Sequence, residues 1–227
     1  MVAYSSVRWK GDDVVVASLV LASASPARLA LLRASGIDPL VVVSDVDEPA
    51  VEDAARQRDP HLSPAALAQL LAEAKGTAVA SRGDHGRDAP FVLGCDSVLE
   101  VDGRVHGKPG TPEVALERWR AMRGRSAVLH TGHHLVDMRD GRTAGAPASA
   151  TVRFASVTDT EIEGYVATGE PLHVAGGFTL DGLGAPFVES IEGHPSTVIG
   201  LCLPLLRRLL TDLGVDWWEV ASGQSRG

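Results

Sequence analysis

The sequence predicts an α/β domain, and three observations carry that reading. Continuous β-branched and apolar runs at 14–21, 40–43 and 91–95 have the character of strands buried in a covered sheet. Helices follow them behind Ser-Pro or Thr-Pro starts at Ser25-Pro26, Ser63-Pro64 and Thr111-Pro112. Further on, 126–138 and 148–155 read as two arms of a hairpin. With 227 residues the chain can bury one sizeable core, so one domain over 1–227 is expected, with a frayed tail from about 221.

In chain order, VVVASLVL at 14–21 is the first strand, and it runs straight into Ser23-Ala24-Ser25-Pro26-Ala27-Arg28. Ser25 is a helix N-cap, Pro26 suits the first helical position, Leu29, Leu31 and Leu32 give an apolar side, and Gly36 ends the helix. A cation in a first helical turn opposes the helix dipole, so Arg28 points either to water or to an anion bound at the free N–H groups of that turn. The run at 40–43 leads into Ser44-Asp45-Val46-Asp47-Glu48-Pro49, whose acids read as a solvated loop or as metal ligands. A break at 59–63 precedes a long helix from Ala65 to about Ser81, with Leu67, Leu70, Leu71, Ala74 and Ala78 on one side. Lys75 lies close to that apolar side, where a lysine ordinarily snorkels to the surface. Residues 81–90 form a polar loop.

The stretch VLGCDSVLEVDGRVHGKP at 92–109 is the centre of the chain. Its apolar strand is expected to stop at Asp96, a second segment runs over Val98–Val101, and Asp102-Gly103 turns it back toward His106, Gly107, Lys108 and Pro109. Asp96 and Lys108 either face one polar pocket or are a strand-end acid and a solvated lysine. Next come a capped helix over 113–122, the hairpin, and a capping box at Thr158–Glu161 opening a helix to about Thr168. His130, His133 and His134 cannot all share one face of a strand, which argues against a preformed zinc site. GGFTLDGLG at 176–184 matches neither a P-loop nor GxGxxG, and precedes a strand at 186–191. A last amphipathic helix reaches Leu213 and is expected to be interrupted or kinked at Pro204.

Composition excludes several classes of function. A net charge of −8 opposes broad binding to nucleic acid or acidic lipid, while leaving room for a small phosphorylated ligand held by a local cluster of cations. No signal-peptide layout and no long apolar run for a membrane span are evident. Cys95 and Cys202 sit in apolar surroundings and read as buried free thiols of a reducing cytoplasm.

Together these motifs resemble the Maf family of nucleoside triphosphate pyrophosphatases over almost the whole chain. SASPAR at 23–28 resembles the family's S-x-S-P-R-R, DVDE at 45–48 its early acid, AEAKG at 72–76 its A-x-x-K-A, and GCDSV…GKP at 94–109 its A-D-T-V…G-K-P. GEP…AG…GLG…STVIGL at 169–201 resembles its C-terminal block. The resemblance implies an elongated mixed β-sheet flanked by helices, with two lobes around a deep groove, and hydrolysis of a nucleoside triphosphate to monophosphate and pyrophosphate with a divalent metal, Mg or Mn. It implies that Asp96 is the proton acceptor and a metal partner, Glu48 a second acid at the metal, and Arg28, Lys75 and Lys108 phosphate ligands assisted by Ser23 and Ser25. A homodimer is that family's habit.

Three positions that set base choice in the pyrimidine-specific branch read differently here: Ala27, Ser97 and Asp181. The lysine before the Ala-Gly of the C-terminal block is replaced by Val174, preceded by His173. An ionised aspartate only accepts hydrogen bonds, so Asp181 suits a base edge rich in donors, and the expected substrate carries a purine or a modified base. The competing reading is a nucleotide-binding regulator of cell division without significant turnover.

Overall fold

The computed structural model describes residues 19–83 and 89–221. The expected strand residues 14–18, the middle of the 81–90 loop and the tail beyond 221 lie outside them.

Seven strands form one mixed sheet: β1 (Leu19–Ala22), β2 (Leu40–Val41), β3 (Phe91–Val101), β4 (Arg104–His106), β5 (Ser126–Asp137), β6 (Thr143–Phe154) and β7 (Val188–Glu192). Their order is β2-β1-β3-β5-β6-β7, with β4 added to β3. β1 is parallel to β2 and β3, and every other pair is antiparallel. Eight helices accompany the sheet among the described residues: α1 (Pro26–Ala34), α2 (Glu48–Arg58), α3 (Pro64–Ala80), α4 (Pro112–Met122), α5 (Asp159–Ala167), α6 (Pro195–Ile199), α7 (Leu203–Asp212) and α8 (Trp217–Val220).

β3 does not stop at Asp96, as its apolar pattern suggested. It runs unbroken for 11 residues because β5 pairs with it from Phe91 to Glu100. Its other edge is discontinuous. β1 covers Phe91 to Gly94 and β4 covers Leu99 to Val101, which leaves Cys95–Val98 without a strand partner on that edge. The Asp-Gly hairpin between β3 and β4 forms as expected, with φ of 50° at Asp102 and 76° at Gly103.

Side chains of β3 alternate between two faces, and both faces are apolar at their ends and polar at the gap. On one face, Leu93 and Cys95 join a core with α1 and α7, while Leu99 and Val101 join a second core with Trp119, Phe154 and Tyr165. Ser97 lies between them. On the other face, Val92 belongs to one cluster and Val98 to another with Leu67, Ala68 and Leu71 of α3; Asp96 lies between. A polar belt thus crosses the sheet at 96–97 and separates two apolar halves.

α3 reaches this belt because glycines let it lie against the sheet backbone. A Cβ at Gly94 would meet Ala72 O at 2.2 Å and one at Gly132 would meet Ala68 O at 2.2 Å. Two further expectations are corrected. Glu48 and Pro49, read as part of an acidic loop, instead open α2, a helix not expected from the sequence, with Asp47 as N-cap and Glu48 as its first residue. The C-terminal helix is interrupted rather than kinked, and the break falls before Pro204: two helices are separated at Gly200–Cys202, where Gly200 has φ 124°, and Pro204 occupies the first turn of α7.

Candidate active site

Arg28 approaches the gap in β3 from one face. It is the third residue of α1, and its side chain folds back rather than outward, leaving only 8% of the residue exposed. Nε donates to Gly200 O at 2.7 Å, Nη1 to Ser23 Oγ at 2.9 Å and Nη2 to Ser97 Oγ at 3.0 Å. Every one of these acceptors is neutral. Ser25 caps the helix, its Oγ accepting from Arg28 N at 3.4 Å, while Ser25 N donates to Ser23 Oγ at 3.2 Å.

β5 supports this arrangement from behind. Thr131 Oγ1 donates to Thr197 O at 2.9 Å and lies 2.9 Å from Ser97 Oγ. His133, fully buried, accepts from Cys202 N through Nε2 at 2.8 Å. Burial first, then the Arg28 charge, pulls His133 down to about 4, so it is neutral and able to accept at neutral pH. Thr131 and His133 therefore hold the segment that presents Gly200 O to Arg28.

From the other face comes Lys75, buried against the sheet rather than snorkelling. Its Nζ lies 2.6 Å from Asp96 Oδ1 and 2.7 Å from Glu48 Oε1. Burial pushes the Asp96 carboxyl above its ordinary range, and Lys75 and Arg28 pull against that rise. Glu48 is half-exposed, standing at the mouth on α2.

The structure therefore brings Ser23, Ser25, Arg28, Ser97, Lys75, Asp96 and Glu48 together. Three expected residues stay apart from this cluster's hydrogen bonds. Ala27 is half-buried on α1 with no polar group to offer. Lys108 is exposed, two residues beyond His106, which registers with Leu99 at the margin of the gap. Asp181 is exposed on the glycine loop. That loop is tied to the Lys108 segment: Gly176 N donates to Gly107 O at 3.2 Å, as does Arg118 Nη1 at 2.5 Å. The sequence does not mark Thr131, Thr197 and Gly200, and it offers His133 only as a zinc ligand, a reading set aside. Only the STVIGL stretch hinted at Thr197 and Gly200, since a carbonyl acceptor 172 residues from its donor leaves no local pattern.

Chemically, the site offers a buried guanidinium with no carboxylate of its own, an ammonium shared by two carboxylates, and one of those carboxylates raised toward the range of a working base. Among the described residues, no three His, Cys, Asp or Glu gather to hold a metal ion by themselves. Asp96 and Glu48 nevertheless converge on one cation, Lys75, and two carboxylates completed by substrate phosphates and water are a common magnesium donor set, so the residues fit such an ion. Cys95 is excluded as a nucleophile because burial pushes its thiol up to about 12. His130 is engaged elsewhere, Nε2 with Glu100 and Nδ1 with Ser149, both at 2.8 Å.

Comparison with known proteins places the chain in context. A family model described as Maf-like protein matches residues 18–213. Proteins named nucleoside triphosphate pyrophosphatase are similar over nearly their full length. The one from Leifsonia xyli subsp. xyli is 54% identical, covering 89% of this chain and 95% of its own. That of Streptomyces coelicolor is 56% identical over 89% and 93%, and that of Salinispora tropica 57% identical over 87% and 84%.

Proposed function

This chain belongs to the Maf-like family, and from that premise we propose that it is a nucleoside triphosphate pyrophosphatase. It hydrolyses the bond between the α and β phosphates, releasing a monophosphate and pyrophosphate, and acts in the cytoplasm to remove modified or non-standard nucleotides from the pool. The observation that carries this reading is the pairing, across one gap in β3, of a buried arginine free of carboxylates with a raised buried aspartate.

The triphosphate lies along the gap. Arg28 keeps its neutral clamp and offers its charge to phosphate oxygens, and Lys75 and Lys108 add charge from the second face and the rim. Asp96 orients a water molecule and accepts its proton as the water oxygen attacks the α phosphorus; pyrophosphate leaves on the opposite side. Burial suits Asp96 to this, since a carboxylate with a raised pKa is a stronger base. Asp96 and Glu48 would hold magnesium or manganese, which when bound neutralises phosphate charge. The fold is expected to work as a homodimer. Asp181, exposed and without a hydrogen-bond partner among the described residues, selects a donor-rich base edge, that of a purine or a modified base.

A nucleotide-binding regulator without turnover is not favoured, because the relatives that match almost end to end are named as enzymes. Hydrolysis in 18O-labelled water tests the bond assignment. The label is expected in the monophosphate alone; label in pyrophosphate, or release of inorganic phosphate, would overturn attack at the α phosphorus.

A further inference from the structure

Glu170 lies just past the end of α5, outside the hydrogen-bonded cluster at the gap in β3, and its carboxylate gathers four donors. Oε1 accepts from Tyr165 OH at 2.9 Å, Thr179 Oγ1 at 2.5 Å and Gly184 N at 3.1 Å, and Oε2 accepts from Leu183 N at 3.0 Å. Three of these donors belong to the glycine loop that carries Asp181. The loop wraps the carboxylate so closely that a Cβ at Gly182 would lie 2.6 Å from Glu170 Oε2, and one at Gly184 would lie 2.6 Å from Tyr165 OH.

Both ends of this loop are anchored by rings. Phe178 meets Phe154 edge-on at 5.0 Å, and Phe187 packs on Trp119 at 5.8 Å and on Tyr165 at 5.5 Å. Between those anchors Leu180 packs against the second core, but the tip beyond it is open: Leu183 is 59% exposed, and Asp181 and Gly182 are exposed too. The hydrogen bonds to Glu170 are what shape the tip. Burial pushes Glu170 up, but the bonds from Thr179, the Leu183 amide, Tyr165 and the Gly184 amide outweigh it and hold the carboxyl below its ordinary range. It is therefore ionised at neutral pH, and charge-assisted bonds of this kind are the strong ones. The loop's near end is also fixed to the rim of the site, since Gly177 lies against Pro109, directly after Lys108, and Trp119 Nε1 donates to Gly177 O at 2.8 Å.

We infer that Glu170 is a specificity-determining positioning residue: it latches the Thr179–Gly184 loop in one conformation, so that Asp181 meets the base at a fixed place relative to Lys108. This rests on the proposed contact between Asp181 and the base. Glu170 touches neither substrate nor metal; it acts through the loop. Without the latch the phosphate machinery around Arg28, Lys75 and Asp96 keeps its own hydrogen bonds, while the group that reads the base samples several positions.

The test compares wild type, Glu170→Gln and Asp181→Asn on a panel of purine, pyrimidine and modified nucleoside triphosphates, reading kcat and KM separately, with melting temperature as a check on folding. Glutamine keeps the size of the side chain but replaces one acceptor oxygen with a donor, so it cannot serve donors on both sides. Glu170→Gln is expected to compress the spread of kcat/KM between bases by about tenfold, mainly through KM of the preferred nucleotide, with kcat nearly retained. Equal loss for every nucleotide with the ranking intact, while Asp181→Asn reorders it, would show a merely structural glutamate and overturn the inference. Compression by Glu170→Gln without any effect of Asp181→Asn would keep the latch and overturn the Asp181 contact; no change in either variant would overturn both. Should Glu170→Gln fail to fold, Thr179→Val, which removes one donor, is read by the same criteria.

Discussion

The two faces of β3 treat positive charge in opposite ways. Arg28, on one face, is wrapped in neutral acceptors: a carbonyl and two hydroxyls. Lys75, on the other, is gripped by two carboxylates. Burying a guanidinium with no carboxylate hydrogen-bonded to it is costly, and on the proposed reading a phosphate completes Arg28. Lys75 is already neutralised, and its charge serves first to keep Asp96 ionised. On the proposed function one face binds and the other runs the chemistry, although the side chains of Asp96 and Ser97 leave adjacent positions of a single strand.

This contrast can be broken variant by variant. The largest effect is expected for Arg28→Met, which should lower kcat/KM by about 10²–10³-fold, the usual cost of removing one well-placed charge donor. The same variant should abolish the rise in melting temperature that pyrophosphate gives the wild type, because the stabilisation by a ligand follows its affinity for the folded state. An undiminished rise would mean that Arg28 does not hold the anion.

Lys75→Met should cost less in affinity and instead move the acid limb of the pH–rate profile. Asp96 is raised by burial and lowered by Lys75 and Arg28; removing the ammonium raises it further. Activity needs the carboxylate and is lost as pH falls through that value, so the limb should shift to higher pH. An unmoved limb would separate Lys75 from the base.

Gly94→Ala sharpens the comparison through packing. The new methyl would drive against Ala72 O and Gly76 N of α3, lifting Lys75 away from Asp96 while sparing the Arg28 face. A stability loss of about 1–3 kcal/mol is expected from the overpacking, read by denaturant unfolding, with anion-induced stabilisation largely kept. The smallest effect concerns Cys95, whose thiol is pushed up to about 12 by burial: iodoacetamide at neutral pH should leave it unmodified in the folded protein and label it only after denaturation.

Much of this architecture could be read from the chain because its signals are local. The capped turn at Ser25-Pro26, the Asp-Gly hairpin and the capping box at Thr158 are written in neighbouring residues, and each formed as expected. What escaped depends on pairing at a distance. β3 continues through Asp96 because β5 lies beside it, not because of its own pattern. α2 is largely polar, with Ala55 its one buried residue, so no apolar side marks it as a helix in the sequence. Lys75 lies on the apolar side of α3, and only the glycines at 94 and 132 in other elements explain how the helix comes near enough to bury it. The carbonyl of Gly200 and the imidazole of His133 support Arg28 through folds of the chain that no short motif encodes.

The most direct measurement is pyrophosphate release by wild type and Asp96→Asn, with and without magnesium or manganese, alongside nucleotide binding by each. Metal-dependent release in the wild type is expected to fall by about 10²–10⁴-fold in the variant, the range for loss of a general base, while binding persists. Undiminished release from Asp96→Asn, with binding intact, would contradict the account.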